Sequence, residues 1–340
     1  MLSVDGSYGE GGGQILRTAL ALAALTGVPV RIERIRARRS KPGLRPQHLT
    51  AVQAVARVSQ AEVTGVHLGS QALTFRPRTL QGGHYLFDVA EQTRSAGAVT
   101  LVAQALLPPL ITAGAPATVI LKGGTHVPWS PPAHYLSHVF LPALAAMGAE
   151  VEMTLERWGW YPRGGGEIRL TIRGARPLIG VQWHTPAKSS AFRALSAAAK
   201  LPEHVARRQA ARLTARLDAT VPVEIIPAGG LDPGSLVFVW GPQAGFAALG
   251  ARGKPAEQVA DEAAEAYLAF RASGAALDRH LADQILIYLA LAKGPSRFTT
   301  EAVTSHLLTN VWVIEQFLGP TFEIKGALGE RGEISCQGQK

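Results

Sequence analysis

A repeated order of strand and helix patterns limits the fold of this chain more than any other feature of its sequence. The first copy reads strand, helix, strand, helix, strand, strand, with predicted elements at Met1–Val4, Gly13–Leu25, Val28–Ile35, Pro46–Val58, Ala61–Leu68 and Ala72–Phe75. The second copy follows it, with predicted elements at His84–Val89, Ala96–Ala113, Thr118–Lys122, Pro132–Met147, Glu150–Arg157 and Gly166–Ile172. Such self-similarity indicates one supersecondary unit that is used more than once.

A third copy is interrupted by a segment with a different pattern. The helices and strands of this copy are predicted at Asp278–Leu291, Arg297–Ala302, His306–Leu318, Phe322–Ala327 and Gly332–Cys336. The interrupting segment combines strand patterns with two helices, which is typical of a small α+β domain. We therefore predict an α/β (α+β) chain of three βαβαββ units. The large domain would comprise residues 1–180 and 275–338, and the inserted domain residues 181–274.

A glycine-rich loop joins the first predicted strand to the first helix, with the sequence Asp5-Gly6-Ser7-Tyr8-Gly9-Glu10-Gly11-Gly12-Gly13-Gln14. Backbone N–H groups in such a loop can approach an anion closely, and the helix N-terminus carries partial positive charge. A carboxylate such as Glu10 is badly placed beside an anion unless a cation lies between them, so it suggests a divalent metal on a phosphate. The alternative is a tight turn with a surface glutamate.

A basic loop, the arginine loop, precedes the second helix. Residues 31–48 hold six arginines and one lysine against the single Glu33, and most of these cations crowd the loop, at Arg36, Arg38, Arg39, Lys41 and Arg45. Clustered guanidinium groups repel one another unless an anion lies among them, and arginine binds phosphate oxygens through paired hydrogen bonds. The loop therefore favours phosphate binding over a merely solvated run of charge.

Amino-acid composition indicates where the protein is located and what charge its binding partner carries. The 340 residues are 47% hydrophobic and carry a formal net charge of +9, which allows a large core and favours an anionic partner. The single cysteine, Cys336, excludes a disulfide framework and fits a reducing compartment. We see no signal-peptide pattern, and the apolar helices are broken before about 18 residues. We therefore expect a cytoplasmic protein without a membrane partner.

Two histidines of the third copy could take part in chemistry. His280 and Asp283 are three residues apart and share a helix face. His306 follows Thr304 and Ser305, either of which is a plausible N-cap. The helix dipole at that position disfavours imidazolium, and neutral imidazole is the nucleophilic form. Each histidine could instead be a structural residue with satisfied hydrogen bonds. No zinc-ligand spacing occurs among the ten histidines.

These segments together resemble the RNA 3′-terminal phosphate cyclase family. The matching stretches cover essentially the whole chain and lie at residues 5–17, 35–49, 68–71, 123–125, 280–284 and 306–310. The resemblance implies a large domain of three units, each with two helices on a four-stranded sheet, and a small inserted domain. It also implies ATP-dependent conversion of an RNA 3′-phosphate to a 2′,3′-cyclic phosphate, and it allows for a homodimer.

The resemblance implies a role for particular residues. His306 would become adenylated, and Glu10 would be the carboxylate beside a divalent metal, Mg²⁺ or Mn²⁺. The residues in phosphate-handling motifs would be Arg17, Arg36, Arg39 and Gln47. The residues of the ATP pocket would be Gln104, Pro128, His280, Leu281, Ala282, Asp283 and Gln284. The family commonly has tyrosine in place of His280, and imidazole offers adenine a smaller stacking surface.

Two other functional classes are compatible with parts of this pattern. A non-catalytic ribosome-assembly scaffold of the same superfamily would keep the fold and lack the nucleophile, and His306 in its motif speaks against it. An enolpyruvyl transferase is built from similar repeats and binds a small anion, which the arginine loop could serve. The inserted segment and the region around His306 speak against that class.

Overall fold

The protein is an α/β structure in which helices pack on four-stranded mixed sheets. A computed structural model describes residues 1–91, 95–174 and 177–339. The prediction of a mixed α/β chain is confirmed at this level.

The first sheet is formed by the N-terminal part of the chain. Its elements are β1 (Leu2–Asp5), α1 (Gly13–Thr26), β2 (Val30–Glu33), α2 (Pro46–Val58), β3 (Glu62–Thr64) and β4 (Leu73–Arg76). The strand order is β1-β2-β4-β3, with β1 parallel to β2 and the other pairs antiparallel. Strand β2 ends earlier than predicted because Arg34 takes a left-handed φ of 52°, which ends an extended strand.

The second sheet has the order β5-β6-β8-β7, with β5 parallel to β6. Its elements are β5 (Gly83–Asp88), α3 (Val99–Thr112), β6 (Ala117–Gly123), α4 (Ala133–Tyr135), α5 (Leu141–Ala146), β7 (Val151–Arg157) and β8 (Gly166–Ile172). We predicted one helix over Pro132–Met147, but a π-helical turn at Leu136–Phe140 joins α4 to α5. Pro142 lacks the N–H group that a regular α-helix would use at this point, which favours the π turn.

The segment after β9 (Gln182–Trp183) forms a separate sheet of order β11-β10-β12-β13. A single 3₁₀ turn at Ser189–Ala191 precedes it. Its elements are β10 (Arg193–Ala199), α6 (His204–Arg216), β11 (Val223–Pro227), β12 (Gly234–Gly241), β13 (Ala244–Leu249) and α7 (Ala256–Ser273). Ion pairs join α6 to α7, with Arg208 bound by Glu257 at 2.7 Å and Arg212 bound by Asp261 at 2.8 Å.

The C-terminal part completes the sheet that begins with β9, in the order β9-β14-β16-β15. Its elements are α8 (Arg279–Gln284), α9 (Leu286–Leu291), β14 (Ser296–Thr300), α10 (Ser305–Leu318), β15 (Phe322–Lys325) and β16 (Gly332–Cys336). The helix predicted over Asp278–Leu291 is divided at Ile285 into α8 and α9. Asp278 caps α8 by accepting hydrogen bonds from the His280 and Leu281 amides.

Helix α1 lies at the centre of the larger of two extended hydrophobic cores. It packs against α2, α3 and α10, and its alanines and leucines are buried on nearly every side, as expected of a core helix. This packing sets the glycine loop before α1 beside the start of α10. In the part of the chain that the structure describes, no helix has the length and apolar character needed to cross a membrane.

Candidate active site

One cavity of about 1090 Å³ brings together most of the residues that the sequence marks as functional. The predicted residues that line it are Glu10, Arg17, Arg36, Arg39, Gln47, Gln104, Pro128, His280, Asp283, Gln284 and His306. They come from the glycine loop, the arginine loop, the loop at residues 124–132 with its three prolines, and the helices α1, α2, α3, α8 and α10. The side chains of Leu281 and Ala282 are fully buried in the core and do not line the cavity.

His306 stands in the first turn of α10 and is oriented by the glycine loop. Thr304 caps this helix, with Oγ1 accepting from the Leu307 amide at 3.0 Å. The Nδ1 atom of His306 lies against the Glu10 carboxylate and 2.7 Å from the amide oxygen of Gln14. Both neighbours are hydrogen-bond acceptors, so Nδ1 carries the proton and the lone pair of the neutral ring is on Nε2.

The pKa of His306 is shifted in the direction opposite to our expectation. The helix dipole led us to expect a lowered pKa, but the Glu10 carboxylate against Nδ1 raises the pKa of His306, and the charge of Asp283 raises it further. Burial acts to raise the pKa of Glu10, yet the close contacts with His306 and Arg39 outweigh it, and the pKa of Glu10 is lowered. A carboxylate in contact therefore matters more than the helix end.

The glycine loop is fixed onto α10 by contacts that the sequence analysis missed. The Tyr8 ring stacks on Trp312 with 3.9 Å between ring centroids and 14° between planes. The Glu10 amide donates to Thr309 Oγ1 at 3.4 Å. Gly9 has a left-handed φ of 50°, and a Cβ atom there would collide with the same Thr309 hydroxyl, so the close approach requires glycine. No local pattern relates Tyr8 to a helix so far along the chain.

Arg17 presents a partly buried cation to the cavity. Within the described residues, its guanidinium takes part in no hydrogen bond or ion pair shown by the structure. Burial lowers the pKa of Arg17 to about 10, while the charges of Asp283 and Glu10 act to raise it. The group therefore remains charged at neutral pH, and an anion in the cavity would satisfy it.

The arginine loop adds further cations with different local roles. Arg36 donates through Nη1 to the carbonyls of Lys41 and Gly43, at 2.7 and 2.8 Å, and so fixes the loop. Burial lowers the pKa of Arg36, and the charges of Arg39 and Arg45 lower it further. Arg39 pairs with Glu10. Arg45 also lines the cavity, although the sequence analysis assigned it no separate role.

His48 lies in the matching stretch at residues 35–49 and lines the cavity. It is buried, and its Nδ1 accepts from the Arg45 amide at 3.2 Å, so the neutral ring carries its proton on Nε2. Burial and the charges of Arg17, Arg36 and Arg45 lower the pKa of His48 to about 3. It is therefore a neutral hydrogen-bond donor among cations. Only tertiary contacts distinguish it from an ordinary helix residue.

Amide side chains and a buried carboxyl form another part of the cavity wall. Gln104 Nε2 donates to Gln284 Oε1 at 2.8 Å, which joins α3 to α8. Asn310 donates to the Asp283 carbonyl at 2.7 Å. Burial raises the pKa of Asp283 to about 7, against the charges of His306 and Arg17. Gln47 uses its amide oxygen to accept from the Ala98 amide at 3.0 Å, which leaves its NH₂ group available.

The residues present fit a metal only if a ligand completes its coordination. Within residues 1–91, 95–174 and 177–339, no three His, Cys, Asp or Glu side chains form a group that could hold a metal ion. Glu10 Oε2 is buried and receives no well-directed hydrogen bond, although His306 Nδ1 lies against it. One carboxylate oxygen is thus suited to a cation whose other ligands are phosphate oxygens and water, as is usual for Mg²⁺.

Comparisons with known proteins point to one family. A family model described as RNA 3′-terminal phosphate cyclase matches residues 8–324. The RNA 3′-terminal phosphate cyclase of Methylococcus capsulatus is 51% identical over 328 residues, covering 93% of this chain and 91% of that protein. That of Pyrococcus furiosus is 44% identical over 344 residues, covering 98% of both. The structure of the enolpyruvyl transferase NikO from Streptomyces tendae covers 98% of this chain and 47% of that chain, with 13% identity and a TM-score of 0.41, a likeness too weak for any conclusion.

The fold and the cavity define an α/β protein with a basic cavity that holds a histidine and a carboxylate in contact. The family match over residues 8–324 and the relatives above give this class a name. The chain belongs to the RNA 3′-terminal phosphate cyclase family and is an enzyme of that kind. The predicted resemblance is confirmed.

Proposed function

We propose that this enzyme uses ATP to convert an RNA 3′-phosphate to a 2′,3′-cyclic phosphodiester, through histidine-AMP and RNA-adenylate intermediates. The observation that carries the proposal is the contact of His306 Nδ1 with Glu10 inside a cavity lined by arginines. This contact leaves the lone pair of Nε2 available for attack on phosphorus. AMP and pyrophosphate would be the products from ATP.

The chemistry explains why ATP is needed. A phosphate monoester dianion is a poor electrophile, and the neighbouring 2′-OH cannot expel oxide from it. In the first step, Nε2 of His306 attacks the α-phosphorus of ATP, forming a P–N bond and releasing pyrophosphate. An oxygen of the RNA 3′-phosphate then takes the AMP from histidine. Finally, the 2′-OH attacks the activated phosphorus, closes the ring and expels AMP.

The arginines of the cavity are suited to stabilise the negative charge that develops on the phosphoryl oxygens in these steps. Arg17, Arg36 and Arg39 would stabilise negative charge on the equatorial oxygens of the transferring phosphoryl groups. The N-terminus of α1 can offer first-turn amides to an anion, because Gly12 at the N-cap has no side chain that could accept from them. The attacking form is neutral imidazole, and because Glu10 raises the pKa of His306, the population of that form increases as the pH rises through that pKa.

We propose ATP and a divalent metal, Mg²⁺ or Mn²⁺, as the cofactors. Glu10 would hold the metal, which would supply neutralising charge on the phosphates of ATP. The nucleotide would lie between Pro128 and His280, close to the amides of Gln104 and Gln284, with Asp283 and Gln47 nearby. All six of these side chains line the cavity. Leu281 and Ala282 would support the pocket from the core, since they do not reach its surface.

The proposed substrate is an RNA with a 3′-phosphate end. The 2′-OH is the nucleophile of the last step and also the group that distinguishes RNA from DNA. The net charge of +9 suits a polyanionic partner. We further propose a cytoplasmic location, in keeping with the single cysteine, and a homodimer.

We also infer that the sheets derive from a three-fold repeat with one insertion. The orders β1-β2-β4-β3, β5-β6-β8-β7 and β9-β14-β16-β15 support this proposal, as does the parallel pairing of the first two strands in each. The large domain would comprise residues 1–180 and 275–338, of which 92–94 and 175–176 lie outside the described residues. The small domain would comprise residues 181–274, although β9 at its start pairs with β14 of the large domain.

Incubation with ATP labelled on its α-phosphate tests the proposal. We expect the enzyme to retain acid-labile label, with a mass increase of one AMP, and to convert a 3′-phosphorylated oligoribonucleotide to its cyclic form. A scaffold protein or an enolpyruvyl transferase would retain no label. An enzyme that stays unlabelled with both Mg²⁺ and Mn²⁺ would contradict the proposed mechanism.

A further inference from the structure

Trp129 is a tryptophan that the fold leaves in water at the cavity. Its side chain is 99% exposed, yet it belongs to the cavity lining. Across the described ranges, it makes no ring contact, cation–π contact or hydrogen bond shown by the structure. Trp158, Trp160, Trp240 and Trp312, in contrast, stack on neighbouring rings. A large apolar ring exposed at a site, rather than packed in a core, indicates an interaction surface.

The loop that carries Trp129 is fixed in place. Trp129 has a left-handed φ of 65°, a conformation that bulky side chains seldom adopt. Ser130 Oγ donates to the Val127 carbonyl at 2.9 Å, and Thr100 Oγ1 donates to the Pro131 carbonyl at 2.8 Å. Prolines at 128, 131 and 132 restrict the backbone further. The backbone that carries the indole is therefore fixed before any ligand arrives, which lowers the entropy cost of ordering the loop on binding.

The size and the charge of the cavity identify the ligand that reaches this ring. A volume of about 1090 Å³ is above the usual range of about 300–1,000 Å³ for a single small ligand. The cavity therefore has room for a nucleotide and the end of a second molecule. A ring that is almost fully exposed lies at the mouth of the cavity, where a ligand chain would enter from solvent. Another exposed apolar side chain of the lining is Leu68, which is 43% exposed.

We infer that the indole of Trp129 stacks on the 3′-terminal nucleobase of the RNA while the arginines hold its 3′-phosphate. The choice of RNA as the ligand rests on the proposed function. A polyanion fits the cluster of Arg36, Arg39 and Arg45, and a flat base fits the unpaired ring. Stacking tolerates any base, because every base has a π-face. Trp129 is thus an RNA-positioning residue, separate from the residues that take AMP from ATP.

Binding of a short fluorescent oligoribonucleotide with a 3′-phosphate, followed by anisotropy without ATP, tests this inference. We expect Trp129→Ala to raise the Kd about tenfold and Trp129→Phe to stay within about threefold of wild type. Leu328→Ala removes an apolar side chain that is 61% exposed and outside the cavity, and it should bind as wild type does. An oligonucleotide that lacks only its 3′-terminal base should bind wild type and Trp129→Ala equally.

Labelling by ATP in the absence of RNA gives the second readout, and it should be the same in wild type and Trp129→Ala. A wild-type Kd for Trp129→Ala overturns the inference, and so does an equal loss on the oligonucleotide without the base. Slower labelling in Trp129→Ala would assign the ring to ATP and also overturn it. If wild type binds RNA with this dependence on Trp129 but never forms the cyclic end, the proposed function fails and the inference stands.

Discussion

The Nδ1 atom of His306 lies against the carboxylate of Glu10, although 295 residues separate them in the chain. This contact fixes the tautomer of the imidazole and raises its pKa. It also places the acidic residue of the glycine loop where the proposed nucleophile, the phosphates and a cation would meet.

His306 is expected to be the covalent nucleophile. His306→Ala should abolish both AMP uptake from ATP and formation of the cyclic end, because no other side chain supplies the Nε2 lone pair at this position. His204→Ala, which removes an exposed histidine from α6, should label normally. Mass spectrometry after exposure to ATP and Mg²⁺ measures both proteins. AMP on the His306→Ala variant would show that the assignment is wrong.

The pKa of His306 should depend on Glu10. The carboxylate favours imidazolium, so His306 in the wild-type enzyme should titrate above the usual pKa of about 6.5, and Glu10→Gln should lower that pKa. The nucleophilic form would then persist to lower pH in the variant. An NMR titration of the His306 ring in the ligand-free protein measures the change, with His306→Ala used for assignment. An unchanged pKa in Glu10→Gln would contradict the role of this contact.

Glu10 should also govern the metal requirement. Glu10→Gln keeps the shape of the side chain and removes its charge, so adenylation of His306 should weaken and require more metal, with the fold intact. Transfer of AMP from preformed adenylated enzyme to RNA should suffer less, because the triphosphate has already gone. Metal titrations of both half-reactions test this, with Glu62→Gln at an exposed ion pair as the control. Normal metal dependence in Glu10→Gln would show that Glu10 does not bind the metal.

Arg39 should serve catalysis more than solubility. Arg39→Ala should lower the rate more than tenfold, a loss of more than about 1.4 kcal/mol in transition-state stabilisation. Arg207→Ala should have little effect, because Arg207 pairs with Glu203 on the exposed surface of α6. Rates of cyclisation for the two variants give the comparison. Equal losses of rate in the two variants would show that the arginine loop is a solvated charged segment and does not bind phosphate.

The stack of Tyr8 on Trp312 should position the glycine loop for adenylation. Tyr8→Ala should slow labelling of His306 by about three- to tenfold, since such ring pairs contribute about 0.5–1.5 kcal/mol beyond buried area. Tyr8→Phe keeps the ring and should restore the rate, while Tyr161→Ala, at an exposed tyrosine outside the cavity, should not change it. Single-turnover labelling measures all three. Equal slowing by the alanine and phenylalanine variants would contradict a role for stacking.

Much of the fold could be predicted because its signals are local. Apolar periodicity placed α1, α2 and α10 within one or two residues. A change of pattern also led us to predict the insertion, which stays a prediction. The predictions failed where tertiary packing or a single proline decides geometry. Pro142 accompanies the π turn between α4 and α5, and the left-handed Arg34 ends β2 early. The helix predicted at Ala96 begins at Val99, after the extended Ala98.

The sequence by itself determined the chemical types of the site: a glycine loop with one carboxylate, a cluster of arginines and a histidine at a helix start. Residue type and spacing are properties of the chain, and they sufficed to identify the family. Only the tertiary structure decided which groups touch. It set Glu10 and Gln14 on His306, left Arg17 without a partner among the described residues, made His48 neutral and exposed Trp129. Contact, burial and pKa depend on distances between segments far apart in sequence, and those distances exist only after α1 and α10 have packed together.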